Sequence, residues 1–281
     1  MAPAGPIGHP ARRGPALAGL AGLALLPVLV LAACGSSSPS SGSGPAAALA
    51  RIHQAVARTG TAGTAHLVES TDTQSTTGGT STEPVSADSL TVVGDLAFAG
   101  PDASLTTTSR STLPSSSGGA GPATPSSSTT TSSVSVWLGP HLYQRVPPGP
   151  VWTELPVRAP FNYLGVVPTR FLETAPGPVT DAGHREIDGQ ATTGYLVPVP
   201  SSEHGVSLSD SHNRPYTDRF TTAPFTVAVW LDGAGRIVRA SGTEVVTSTR
   251  PAGTARQTTT VTLSAFGAPV HIVAPTVTQP G

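Results

Sequence analysis

The sequence predicts an α+β domain built on one large antiparallel sheet. Three observations predict it: alternating apolar and polar residues through most of the chain, turn residues between those runs, and one strong helical pattern near the start. The chain has 281 residues, a length that one β-rich domain can fill.

The first residues read as an address. Arg12 and Arg13 open a positive segment, and residues 16–31 are apolar but short and broken by glycines and Pro27. A spanning helix is longer and more evenly apolar. The run ends in Leu31-Ala32-Ala33-Cys34, which resembles the bacterial lipobox. Such a signal implies that residues 1–33 are removed as a lipoprotein signal peptide through general secretion. Cys34 then becomes a lipidated N-terminus on the outer face of the cell membrane, and two or more acyl chains on one residue anchor stably. Cys34 is the only cysteine, so its acylation leaves no thiol for a disulfide or for thiolate chemistry. Residues 34–44 carry the lipidated Cys and a Gly/Ser tether.

Residues 45–281 are expected to form a single domain. A helix is predicted over 45–58: Pro45 suits the first helical position, Leu49, Ile52, His53 and Val56 make an apolar stripe, and Gly60 stands at the C-cap. His53 is expected to be partly buried on that stripe. Strands follow. Leu90, Val92, Leu96 and Phe98 share a face, as do Val134, Val136 and Leu138, with a turn into 141–146. Thr193, Tyr195, Val197 and Val199 alternate, then Phe225, Val227, Val229 and Leu231, then Thr259, Val261, Leu263 and Ala265. The pattern predicts eight to eleven strands. Asp188-Gly189 reads as a hairpin turn. Residues 160–174, with Phe161, Leu164, Phe171 and Leu172, break the rhythm as a short helical insertion divided at Pro168. Low-complexity Ser/Thr tracts near 71–87 and 109–133 read as mobile loops, since little apolar surface offsets the entropy of ordering them. Residues 201–222 read as a third loop.

Composition excludes several functions. The sequence has no Lys, so a P-loop, a Schiff-base lysine and the kinase strand lysine are ruled out. A formal net charge of -1 argues against a nucleic-acid binder. No cofactor or hydrolase signature is present, and no catalytic residue is assigned. Glu203, His204, Asp210 and His212 are metal-ligand types at a spacing that matches no standard site. Asp181, Glu186 and Asp188 could be read as paired carboxylates, but turn chemistry accounts for the segment.

The unassigned resource is apolar. Trp137, Tyr143, Trp152, Phe161, Tyr163, Phe171, Tyr195 and Trp230 lie in or beside strands or in the helical insertion, and one helix with a short insertion is a thin cover for so broad a sheet. The order of features resembles the actinobacterial lipoproteins of the LppX/LprG type, relatives of the LolA/LolB carriers and of the RseB sensor domain. The matching pieces are the lipobox, the helix over 46–58, a strand at 64–70 with Ala65-His66, the pair at 136–143 followed by Trp152, and the segments 183–195, 225–232 and 266–275. The resemblance implies a half-barrel of antiparallel strands with helices covering its concave face and a hydrophobic cavity for acyl chains. On that basis the expected ligand is a lipid or lipoglycan, held by a monomer that is not an enzyme. Candidate lining residues are Phe98, Leu138, Tyr143, Trp152, Phe161, Leu164, Phe171, Leu172, Tyr195 and Trp230. The alternatives are an envelope protein-interaction or sensor module with a filled core, and a hydrolase built from scattered Ser, His and Asp.

Overall fold

The computed structural model describes residues 44–77, 86–100, 102–113, 127–146, 149–156, 172, 175–209, 215–249 and 252–277. Among these residues one helix, α1 (Pro45–Gly60), precedes thirteen strands that form one antiparallel sheet. They are β1 (Thr64–Thr77), β2 (Ser86–Ala97), β3 (Asp102–Leu113), β4 (Ser127–Leu138), β5 (His141–Arg145), β6 (Thr153–Pro156) and β7 (Thr180–Ile187). There follow β8 (Gln190–Val199), β9 (Ser202–Ser209), β10 (Pro215–Thr222), β11 (Phe225–Leu231), β12 (Ile237–Thr249) and β13 (Ala252–Ser264). Among the described residues the order β6-β5-β4-β3-β2-β1-β13-β12-β11-β8-β7 leaves β6 and β7 at open edges, so the sheet does not close into a barrel. The expected fold class, a large antiparallel sheet with an N-terminal helix, is what forms. The helical insertion at 160–174 lies outside the described residues except for Leu172.

Strand formation reaches further than the apolar pattern. The tracts read as loops near 71–87 and 109–133 contribute Thr71–Thr77 to β1, Ser86 and Ala87 to β2, Ser109–Leu113 to β3 and Ser127–Ser133 to β4. Their strand character comes from partners. Thr71 pairs with Thr259, and their hydroxyls bond at 3.0 Å. Cross-strand Thr pairs stabilise a ladder without apolar burial. The segment 201–222, expected as a loop, is instead the β9–β10 hairpin, which continues the β8–β11 pair. Pro200 and Pro224 mark the breaks, where each strand lacks an N–H donor.

The C-cap of α1 is Thr61 rather than Gly60, with the Thr61 N–H donating to the Ala57 carbonyl. Its buried stripe is Ile52, Ala55, Val56 and Thr59, and His53 is exposed rather than partly buried. Thr59 joins helix and sheet: its hydroxyl donates to the Ala55 carbonyl at 2.8 Å and accepts from the Ile237 N–H at 2.9 Å. The β7–β8 turn is as the sequence predicts, since Asp188 and Gly189 have φ of 51° and 78°, the pair of positive values a type I′ turn requires.

Candidate functional site: the helix-bearing face and a flanking cleft

Directly paired residues of an antiparallel sheet point to the same side, so register assigns every strand residue to the face that carries α1 or to the opposite one. The helix-bearing face holds two apolar clusters. In the first, Ile52, Ala55 and Val56 of α1 pack on Tyr195, Val197, Val227, Val229 and Ala240, with Leu172 and Val179 beside them. The second comprises Ala65, Leu67, Val92, Leu96, Ala103, Leu105, Val261 and Leu263, with Phe98, Trp137 and Phe266 packed against it. The two are continuous, because Val261 pairs with Ala240 and Leu67 pairs with Leu263. A helix of 16 residues is about 24 Å long and an eleven-strand path is about 50 Å wide, so α1 covers at most half of this face.

The candidate lining residues divide between the faces. Tyr195 and Leu172 belong to the first cluster and Phe98 packs against the second. Leu138, Tyr143 and Trp230 take the opposite face. Tyr143 pairs with Val136 and Leu138 with His141, whereas Trp137, Leu142 and Leu155 are the members of these strands that face inward through pairing with Ala103. Trp230 pairs with Gly194 and Arg239. A Cβ on Gly194 would lie 2.5 Å from the Trp230 ring, so the glycine lets the indole lie flat on β8. The Arg185 guanidinium covers its other side at 3.8 Å. Burial and the nearby Arg239 hold the Arg185 pKa below its ordinary value. Trp152 is stacked by Arg145, 5.2 Å away, whose partner Val134 also faces outward. A pocket beneath α1 therefore draws on none of Leu138, Tyr143 and Trp230. Phe161, Leu164, Phe171 and Cys34 lie outside the described residues.

Below the second cluster the same face turns polar. Glu69 pairs with Val92 and Val261, and its carboxylate accepts from the Thr71 hydroxyl at 3.4 Å. Burial pushes the Glu69 carboxyl above its ordinary pKa, and the Thr71 bond opposes that rise. The Gln257 amide donates to Thr259 at 3.5 Å, which extends the band. An apolar pocket of about 280 Å³ opens at the far end of the first cluster, lined by Pro176, Pro198, Val199, Pro200 and Phe225.

On the other flank of α1, a cleft of about 380 Å³ runs between the helix and the β7 edge. Arg51, Gln54 and Arg58 form its helical wall, and Asp181, His184, Thr193 and Tyr195 the opposite one. Arg51 donates to the Tyr195 hydroxyl at 3.2 Å. That bond first, and the Asp181 carboxylate to a smaller degree, raise the Arg51 pKa. Arg58 donates to the Ala234 carbonyl at 3.1 Å. Sequence reading missed this group. Arg51 and Arg58 stand seven residues apart, which puts them on one helical face, but their partners come from distant strands that only the fold brings near.

Among the described residues no three His, Cys, Asp or Glu side chains gather as a metal site, and Asp210 and His212 lie outside them. Among the same residues no helix is long and apolar enough to cross a membrane.

No family model matches the sequence, and no curated protein matches it. Among solved structures the chain is similar to the lipoprotein LppX of Mycobacterium tuberculosis, at 17% identity over 81% of this chain and 99% of that one, with a TM-score of 0.40. It is similar to LprF from Mycobacterium bovis at 16% identity over 83% and 99%, with a TM-score of 0.41. A LolA superfamily protein from Nitrosomonas europaea is similar at 7% identity over 78% and 93%, with a TM-score of 0.24.

Proposed function

We propose that this chain is an extracytoplasmic lipoprotein, anchored through Cys34, that binds the acyl chains of a lipid or lipoglycan on the helix-bearing face of its sheet. One observation carries the reading: the apolar surface of that face extends well beyond what α1 covers. Solvent exclusion supplies the affinity, at about 0.8 kcal/mol per buried CH₂. The residues that would meet an acyl chain are Leu67, Leu96, Leu105, Val261 and Leu263, with Phe98 and Trp137 at their border. This set replaces Leu138, Tyr143 and Trp230. The function is binding rather than catalysis, and the protein acts as a monomer tethered by residues 34–44.

A second reading has its own observation. Ala65, Leu67, Leu96, Ala103 and Leu263 are at most 2% exposed, so the protein's own atoms already withdraw them from water. In that reading the face is permanently filled, and the body serves as an interaction or sensor module. Native mass spectrometry of the mature protein, released from neutral detergent, separates the two. The lipid reading expects co-purifying lipid that Leu67→Arg abolishes while the fold persists; a lipid-free mass in every preparation favours the filled face. Cys34→Ala is expected to move the protein from the detergent phase to the aqueous phase, and unchanged partitioning would refute the anchor.

A further inference from the structure

The cleft beside α1 shares Tyr195 with the first apolar cluster, opens toward β7 rather than toward the second cluster, and carries charge. We propose that it binds a monoanionic phosphodiester bearing a hydroxylated group. The inference does not rest on acyl binding.

The charges left open in the cleft decide what it can hold. Asp232 is committed to its own turn: it accepts from the N–H groups of Ala234 and Arg236, and Arg236 closes on it at 2.7 Å. Asp181 gives one oxygen to the Gly183 N–H and leaves the other open to the cleft. Arg51 and Arg58 each use one N–H, on the Tyr195 hydroxyl and the Ala234 carbonyl, of the five a guanidinium carries. Among the described residues two cations thus face one open carboxylate, an excess of one positive charge.

A phosphodiester matches that excess. A neutral sugar would leave a cation uncompensated, and a dianion would bring a second negative charge against Asp181. The open Asp181 oxygen is a hydrogen-bond acceptor and so calls for a hydroxyl donor, as a glycerol or sugar beside the phosphate provides. Arg51 and Arg58 leave the helix about 10 Å apart along its axis, the scale of a phosphodiester with one flanking group. The cleft volume of about 380 Å³ falls within the range of small-molecule sites.

The phosphodiester could come from a lipid headgroup or from a soluble ester. The test titrates the mature protein in neutral detergent with glycerophosphoglycerol, and separately with phosphatidylglycerol in mixed micelles, following phosphorus NMR line broadening. Saturable binding of glycerophosphoglycerol is expected. Arg51→Ala and Arg58→Ala should each weaken it about tenfold or more, as loss of a charge-assisted bond predicts. Asp181→Asn keeps an oxygen to accept the hydroxyl and removes the charge opposing the phosphodiester, so it should strengthen binding several-fold. A fold defect cannot produce these opposite signs. Binding of both probes identifies a lipid headgroup as a source, and binding of glycerophosphoglycerol alone identifies a soluble ester; either supports the site. Saturable binding of neither probe, or binding indifferent to all three substitutions, overturns it. Because glycerophosphoglycerol has no acyl chain, this outcome is independent of whether the apolar face takes lipid.

Discussion

The two halves of the helix-bearing face are built from similar residues but closed differently. Over β8, β11 and β12 the cover is α1, held at its end by Thr59 and packed through Ile52 onto Val197, Val227 and Val229. Over β1, β2, β3 and β13 the apolar surface is as continuous, but α1 does not reach it. A helix tied by a buried side-chain bond is a permanent lid. The other half has no such tie among the described residues, and it ends in a polar band around Glu69 and Thr71. The comparison teaches that one face can serve both as core and as a place for a ligand, depending on what is fastened above it.

Substitutions can break or sharpen this contrast. The largest effect is expected from Ile52→Ala, which opens a cavity under the lid and should cost about 2–5 kcal/mol of stability in chemical denaturation. Its lipid content per folded molecule should not change. Leu67→Ala should cost a similar amount if its half is permanently filled, and less, with loss of bound lipid, if an acyl chain occupies the site. Next is Thr59→Val, which leaves the Ile237 N–H buried without its acceptor; about 1–3 kcal/mol is expected, read as a lower denaturation midpoint. Gly194→Ala, on the opposite face, forces the Trp230 ring off β8 and should cost about 1–3 kcal/mol without altering lipid binding.

The smallest effect is a pH dependence. The folded protein holds the Glu69 proton more tightly than the unfolded chain does. The contribution to stability is therefore fully present below the unfolded-chain value and is lost as pH rises through the folded value. Thermal melts should show Glu69→Gln gaining on the parent as pH is raised from the acid range to neutrality. A constant difference across that range would remove Glu69 from the account.

Much of the sheet was legible in the sequence because burial of one face imposes a period of two. Val227, Val229 and Leu231 point inward as that period requires, and the same parity places Trp230 outward; only its bulk argued for a lining role. In β4 the period was ambiguous, since Val136, Trp137 and Leu138 are all apolar, and only pairing with Ala103 and Tyr143 decides between them. The Ser/Thr strands were not legible, because their order comes from partner strands rather than from side chains that seek burial. The Arg51 cleft was legible only on its helical side.

The central claim, that the half beyond α1 receives an acyl chain, is tested most directly by fluorescence quenching. Trp137 borders the second cluster, and Trp230 lies on the opposite face between Gly194 and Arg185. Two variants of the mature protein, each keeping one of these tryptophans with the other two replaced by Phe, are titrated with a fatty acid brominated along its chain. The account predicts saturable quenching of Trp137 and none of Trp230. Equal quenching of both, or quenching of neither, would contradict it.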